Sequence, residues 1–145
     1  MISKITLDQT LPLRSSVLRR NIPYSECIFP TDQTDGIFHL GYFVGERLVC
    51  IATFFSEDYP GFSSGGFRLR GMATDPEFAG KGLGSALINF AINELTSKKA
   101  SYIWCNARKA AVDFYKKLGF EIISPEFEVP GIGPHFDMHY QIEKV

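Results

Sequence analysis

The stretch from Leu69 to Leu87, LRGMATDPEFAGKGLGSAL, constrains the fold more than any other part of this chain. It reads as a buried strand ending at Thr74-Asp75-Pro76, a loop carrying Gly80, Gly82 and Gly84, and a helix opening at Ser85. A strand that passes through a glycine turn into a helix is one way to build an anion cradle. The first turn of a helix leaves backbone N–H groups without intrahelical partners, and the helix dipole adds partial positive charge there. Glycines let a bulky phosphate approach those amides closely. Glycines alone are equally compatible with a turn that binds nothing. The loop is not a Walker A loop, because no Gly-Lys-Ser/Thr closes it. Nor is it the dinucleotide fingerprint, since Ser85 stands where the third glycine would fall counting from Gly80.

The rest of the chain fits one mixed α/β domain over residues 1–145. Residues 2–7 are a candidate strand, and Thr10 to Arg20 a candidate helix with Pro12 in its first turn. Asn21 to Asp35 is irregular. Ile37 to Val44 and Arg47 to Phe55 read as a β-hairpin across Gly45-Glu46, followed by a Gly/Ser/Pro-rich loop from Ser56 to Gly66. After the glycine loop, Leu83, Leu87, Phe90, Ala91 and Leu95 form one apolar helical face. A short strand (Ser101 to Asn106) and a second amphipathic helix (Arg108 to Leu118, stopped by Gly119) come next. Phe120 to Val129 and His135 to Glu143 read as closing strands.

Two segments resemble a known family. Ala79-Gly80-Lys81-Gly82-Leu83-Gly84 is similar to the Q/R-x-x-G-x-G/A segment with which the GNAT acetyltransferase superfamily holds the pyrophosphate of acetyl-CoA. Ala111-Val112-Asp113-Phe114-Tyr115-Lys116-Lys117-Leu118-Gly119-Phe120 is similar to its A-x-x-F-Y-x-x-x-G-F segment. The element order also matches over residues 37 to 140, most specifically over 69–120. The resemblance implies a mixed, mostly antiparallel sheet flanked by helices, with acetyl-CoA as cosubstrate on the loop from Ala79 through Gly80, Lys81, Gly82, Leu83 and Gly84 to Ser85. It implies that the strand before the loop splays from its neighbour, with backbone contacts from Met72, Ala73 and Thr74 to the pantetheine arm and the acetyl carbonyl. It makes Tyr115 the group that protonates the departing thiolate, the alternative being a core aromatic on its helix. There are two departures. Ala79 stands where the family has Arg or Gln, and the usual asparagine position, counted back from Tyr115, falls at Arg108 rather than at Asn106. Asn106 is carried over as a cofactor contact, with helix capping as its other reading. Lys81 and Lys117 are candidate phosphate contacts or simply solvated lysines.

The acceptor amine must lose a proton, and His135 is the first candidate base because imidazole titrates near neutrality. His39, Glu128 and Asp75 follow. Arg68 and Arg70 share one strand face, which either lines the acceptor cleft and favours a carboxylate or phosphate, or is ion-paired scaffolding. Cys105 lies in an apolar strand with no evident base partner and reads as a core cysteine, so no acyl-enzyme is needed. A formal net charge of -1 with 21% charged residues gives no reason to expect a nucleic-acid or membrane partner. Cys27, Cys50 and Cys105 show no metal-ligand spacing, and reduced thiols point to a cytoplasmic protein. The expectation is a cytoplasmic N-acetyltransferase moving acetyl from acetyl-CoA to a primary amine on a small molecule or peptide. A homodimer would suit an enzyme of this size, though no residue demands it. The alternatives are a CoA or acyl-CoA sensor or scaffold without turnover, and an interaction domain whose loop is only structural.

Overall fold

The structure, a computed structural model, describes residues 1–142. Glu143, expected at the end of the last strand, lies outside the described residues. β1 (Ile2–Ile5) gives way at once to α1 (Leu7–Leu13). Thr6 and Gln9 form a reciprocal capping box, the Gln9 amide donating to Thr6 Oγ1 (3.2 Å) and the Thr6 amide to Gln9 Oε1 (2.8 Å). That box starts the helix earlier than the expected Thr10 and puts Pro12 inside it. The turn after this proline, Arg14–Leu18, is π-helical and directs Arg14 inward.

The hairpin forms as expected, from β2 (Phe38–Val44) and β3 (Arg47–Ser56), with Gly45 at φ +60° in its turn. β4 (Gly66–Thr74), α2 (Leu83–Ser97), β5 (Tyr102–Arg108) and α3 (Val112–Lys117) follow. The first expected closing strand is broken at Ser124-Pro125 into β6 (Glu121–Ile122) and β7 (Phe127–Val129), because proline cannot donate to a ladder. Both pieces pair with β8 (Gly133–Gln141). The sheet has eight strands in the order β1-β2-β3-β4-β5-β8-β6, with β7 also on β8. Every pair is antiparallel except β4 with β5.

α2 buries Leu83, Leu87, Ile88, Ala91 and Leu95 in the same core as Leu40, Ala52, Phe54, Leu69 and Ile103. Ile88 takes the buried place expected of Phe90, which is only partly covered. Each such leucine or isoleucine contributes about 1.5–3 kcal/mol. Packing therefore holds α2 although no side chain caps its start at Gly82, and its first amides stay available. On the opposite sheet face Leu13 packs with Ile51 and Ala73.

Arg14 ties the N-terminal segment to that second face. Its side chain is fully buried, donating to both oxygens of Asp32 (2.7 and 3.0 Å), to the Cys27 carbonyl (3.0 Å) and to Thr53 Oγ1 (3.0 Å). Its guanidinium lies 3.9 Å from the centre of the Phe29 ring. Phe29 in turn lies under Gly71, which has φ +65° and where a Cβ would come within 3.0 Å of the ring.

Candidate active site

β4 and β5 pair in parallel only at Gly66–Tyr102, Phe67–Ile103 and Arg68–Trp104. Beyond Arg68 the strands part, and no pairing joins the rest of β4 to β5. β4 also bulges. The register against β3 shifts between Ile51 and Thr53, so Gly71 and Met72 together face the single residue Ala52. The left-handed backbone of Gly71 accommodates that extra residue. Three cavities adjoin along this gap, neighbouring ones sharing lining residues. One of about 420 Å³ lies at the glycine loop and is lined by Met72, Thr74, Phe78, Gly80, Gly82, Leu83, Gly84, Ser85 and Phe114. A middle one of about 330 Å³ shares Met72 with it and is bounded by Cys105, Asn106, Tyr115 and His135. A third of about 460 Å³, on the side walled by Leu18 and Phe29, shares Leu69, Arg70, Asn106, Arg108 and His135 with the middle one.

Much of the expected loop set converges on the first cavity. Gly80 and Gly82 have φ +75° and +77°, with nothing within 4 Å of a Cβ, so glycine is needed there for backbone conformation. Gly84 has an ordinary φ, and a Cβ there would sit 3.5 Å from Met72 Sδ and Phe114 Cζ. Leu83, Gly84 and Ser85 present the first-turn amides of α2 to this cavity. Such an uncapped, dipole-positive terminus of a well-packed 15-residue helix suits a pyrophosphate. Three expected contacts are not brought together there. The Ala79 amide donates to Pro76 O (3.3 Å), the Lys81 ammonium rests over Phe78 (5.3 Å), and Lys117 lines a different groove with His139. Nor does Ala73 turn its amide to the gap. Asp75 N donates to Val49 O (2.8 Å), and the antiparallel alternation then gives Ala73 to the β3 ladder and turns the Thr74 amide away from it.

Tyr115 from α3 and His135 from β8 both border the middle cavity, and both are buried. Burial, with Cys105 beside it, raises the Tyr115 phenol well above its ordinary value, so it holds its proton throughout the physiological range. Burial likewise pushes the Cys105 thiol up to about 12, which makes it an unreactive core group. His135 Nδ1 is 2.8 Å from the carbonyl of Gly133. A carbonyl only accepts, so Nδ1 carries the proton and Nε2 of the neutral ring has a free lone pair. Asn106 accepts from Arg68 and donates to Asp137 (2.6 Å), so its amide is tied into the floor of the third cavity. The other candidate bases have structural duties or stand apart. Burial, then the charge of Arg14, lowers the pKa of His39, whose Nδ1 meets Thr53 Oγ1 at 2.8 Å. Asp75 pairs with Arg47 (2.7 Å) and accepts from the Glu77 amide. Glu128 is exposed and borders none of the three cavities.

Residues 34–142 match the family described as "Acetyltransferase (GNAT) domain". The chain belongs to the GNAT acetyltransferase family. It is 34% identical over 139 residues to a Bacillus subtilis (strain 168) protein named uncharacterized N-acetyltransferase YitI, covering 95% of this chain and 93% of that one. Its fold is similar to that of the ribosomal-protein-S18-alanine N-acetyltransferase of Escherichia coli, with a TM-score of 0.78 and 21% identity over 100% of this chain and 95% of that one. It also resembles an aminoglycoside 6'-N-acetyltransferase complexed with coenzyme A, with a TM-score of 0.72 and 15% identity over 100% and 98% of the two chains. At these identities the two structures speak for the fold alone. Family membership makes this GNAT protein an acyltransferase. Among the described residues, no helix is long and apolar enough to cross a membrane.

Sequence reasoning missed what shapes the third cavity of this GNAT protein. The capping box at Thr6-x-x-Gln9 was legible and would have started the helix at Leu7 rather than Thr10. The bulge at Gly71 and the burial of Arg14 against Asp32 had no local signal. Arg68 and Arg70 do line one cavity, but they differ in duty. Arg68 is paired with Glu57 (3.0 Å) and lies over Trp104 (4.5 Å), whereas Arg70 lies over Phe29 (4.5 Å).

Proposed function

We propose that this chain transfers the acetyl group of acetyl-CoA directly to a primary amine, through the gap between β4 and β5. The observation that carries the reading is the run of three adjoining cavities along the gap, with a proton donor and a proton acceptor on the walls of the middle one. Bound acetyl-CoA supplies an activated acetyl thioester. Gly82, Leu83, Gly84 and Ser85 hold the pyrophosphate by backbone N–H groups, as the family resemblance implies, without the side-chain contact that Ala79 lacks. Met72 and Thr74, on the stretch of β4 freed from β5, orient the pantetheine arm, and β4 amides at the bulge polarise the carbonyl. His135 Nε2 takes the proton from the amine, and Tyr115 Oη gives one to the departing sulfur. Solvent exchange returns both groups to their starting protonation. Most of the acceleration comes from holding amine and carbonyl in attack geometry in the narrow gap. A cytoplasmic setting fits the three free cysteines.

The test is mass-spectrometric detection of N-acetyl product from a primary-amine library, with CoA thiol release measured in parallel. The reading requires one thiol per acetylated amine and a fall in kcat of about 10²-fold or more in Tyr115→Phe. Tight acetyl-CoA binding with no transfer to any amine, and no change in Tyr115→Phe, would instead mark a sensor or scaffold.

A further inference from the structure

The acceptor-side cavity carries a charge pattern that the overall composition hides. Arg19, Arg68, Arg70 and Arg108 line it and no aspartate or glutamate does, in a chain whose formal net charge is -1. Of the four, Arg68 is committed, to Glu57 at 3.0 Å, to Asn106 and to the face of Trp104. Arg19, Arg70 and Arg108 have no ion pair among the described residues. Arg70 is half-buried, its guanidinium 4.5 Å from the centre of the Phe29 ring, which also carries Arg14 at 3.9 Å. Two carboxylates act on Arg70, Glu57 ahead of Asp32, and both are engaged elsewhere, Glu57 with Arg68 and Asp32 through both oxygens with Arg14. Burial first, then the like charges of Arg68 and Arg14, lowers the pKa of Arg70. A guanidinium so placed is stabilised by an anion arriving in the cavity, and its planar fork matches an oxyanion.

We infer that the acceptor is an amine bearing an oxyanion, a carboxylate or a phosphate, which seats on Arg70 with Arg19 and Arg108 beside it while its amino group meets His135. This rests on the acetyl-transfer reading and narrows its substrate class. Phe29, Phe127 and Ile132 supply apolar wall for the body of such a molecule, and a polycationic amine is repelled.

The test pairs each acid with its uncharged counterpart: glycine with glycinamide, L-phenylalanine with L-phenylalaninamide, O-phosphoethanolamine with ethanolamine, and spermidine as a polycation. Initial rates with acetyl-CoA, and calorimetric titrations in the presence of CoA, are measured on the full chain. The acids should be preferred by about 10- to 100-fold, the scale of charge-assisted hydrogen bonds. Arg70→Gln should bring that ratio towards one with KM for acetyl-CoA unchanged. Arg108→Gln, at an exposed position where the fold is not at stake, should lower it too. Comparing the phosphate pair with the carboxylate pairs separates the two oxyanions. A wild-type ratio near one, or a preference for amides or spermidine, overturns the inference and leaves acetyl transfer standing. Failure to bind acetyl-CoA overturns the acetyl-transfer reading instead. The same titrations without CoA then decide the oxyanion seat by itself: acid-selective binding abolished by Arg70→Gln upholds that seat, and no acid selectivity overturns it.

Discussion

Replacing Arg14 by methionine removes a fully buried guanidinium and leaves the equally buried carboxylate of Asp32 with one strong donor, the Phe29 amide at 2.7 Å. Stranding one member of a buried pair costs about 3–5 kcal/mol. For a chain of this size that lowers Tm by on the order of 10 °C. Asp32→Leu should cost as much, because it strands Arg14. The double variant Arg14→Met/Asp32→Leu removes both charges and should recover most of the loss, since an apolar replacement of a buried pair is often close to neutral. Urea melts of the four proteins give the coupling energy directly. The pair should also mark the pH dependence. Burial pushes the Asp32 carboxyl up, but hydrogen bonds from Arg14 and the Phe29 amide, with the charge of Arg14, outweigh it and hold the pKa below the ordinary value. The contribution is therefore complete above the unfolded carboxylate's pKa of about 3.9 and fades as pH falls through the lower folded value. Below about pH 4 the wild type should lose stability more steeply than the double variant. Single variants within about 1 kcal/mol of wild type, or a double variant as unstable as the sum of the singles, would refute the argument.

Further expected outcomes concern the site itself. Gly84→Ala should leave the acetyl-CoA dissociation constant within about twofold, since the new methyl meets only ordinary contacts. Gly82→Ala forces an L side chain to φ +77° at the start of α2. It should weaken binding about 5- to 10-fold, as the αL strain of about 1–2 kcal/mol would shift the loop amides; titration compares the two. Cys105→Ala should retain turnover, and intact-mass spectra of the wild type during turnover should show no acetyl adduct on Cys105. Its thiol, at about 12, is ionised at pH 8 in roughly one molecule in ten thousand. His135→Gln should lower kcat/KM by about 10²- to 10⁴-fold in steady-state assays if its Nε2 takes the amine proton.

The glycine loop, the β2–β3 hairpin and α2 were legible because each is written locally, in positive-φ glycines, a two-residue turn and a 3.6-residue apolar period. Tyr115 was legible through the motif around it, and the structure puts it on the wall of the middle cavity. Other features were set by partners distant in sequence. β4 and β5 are both strand-like throughout, so their residues alone do not say that pairing stops at Arg68; the family resemblance was what implied that the strand before the loop splays from its neighbour. Arg14 reads as a surface residue of an amphipathic helix until Asp32, Thr53 and the Cys27 carbonyl close around it. Arg68 and Arg70 were correctly placed on one face by strand alternation. Which of them is paired depended on Glu57, in a loop with no periodic pattern.

Calorimetric titration with acetyl-CoA, of the wild-type chain beside a Gly82→Glu/Gly84→Glu variant, tests the central claim most directly. Saturable one-to-one binding by the wild type, lost in a variant whose circular dichroism and melting remain those of a folded protein, is the predicted result. No binding by well-folded wild-type protein, or unchanged binding with two carboxylates in the loop, would contradict the account.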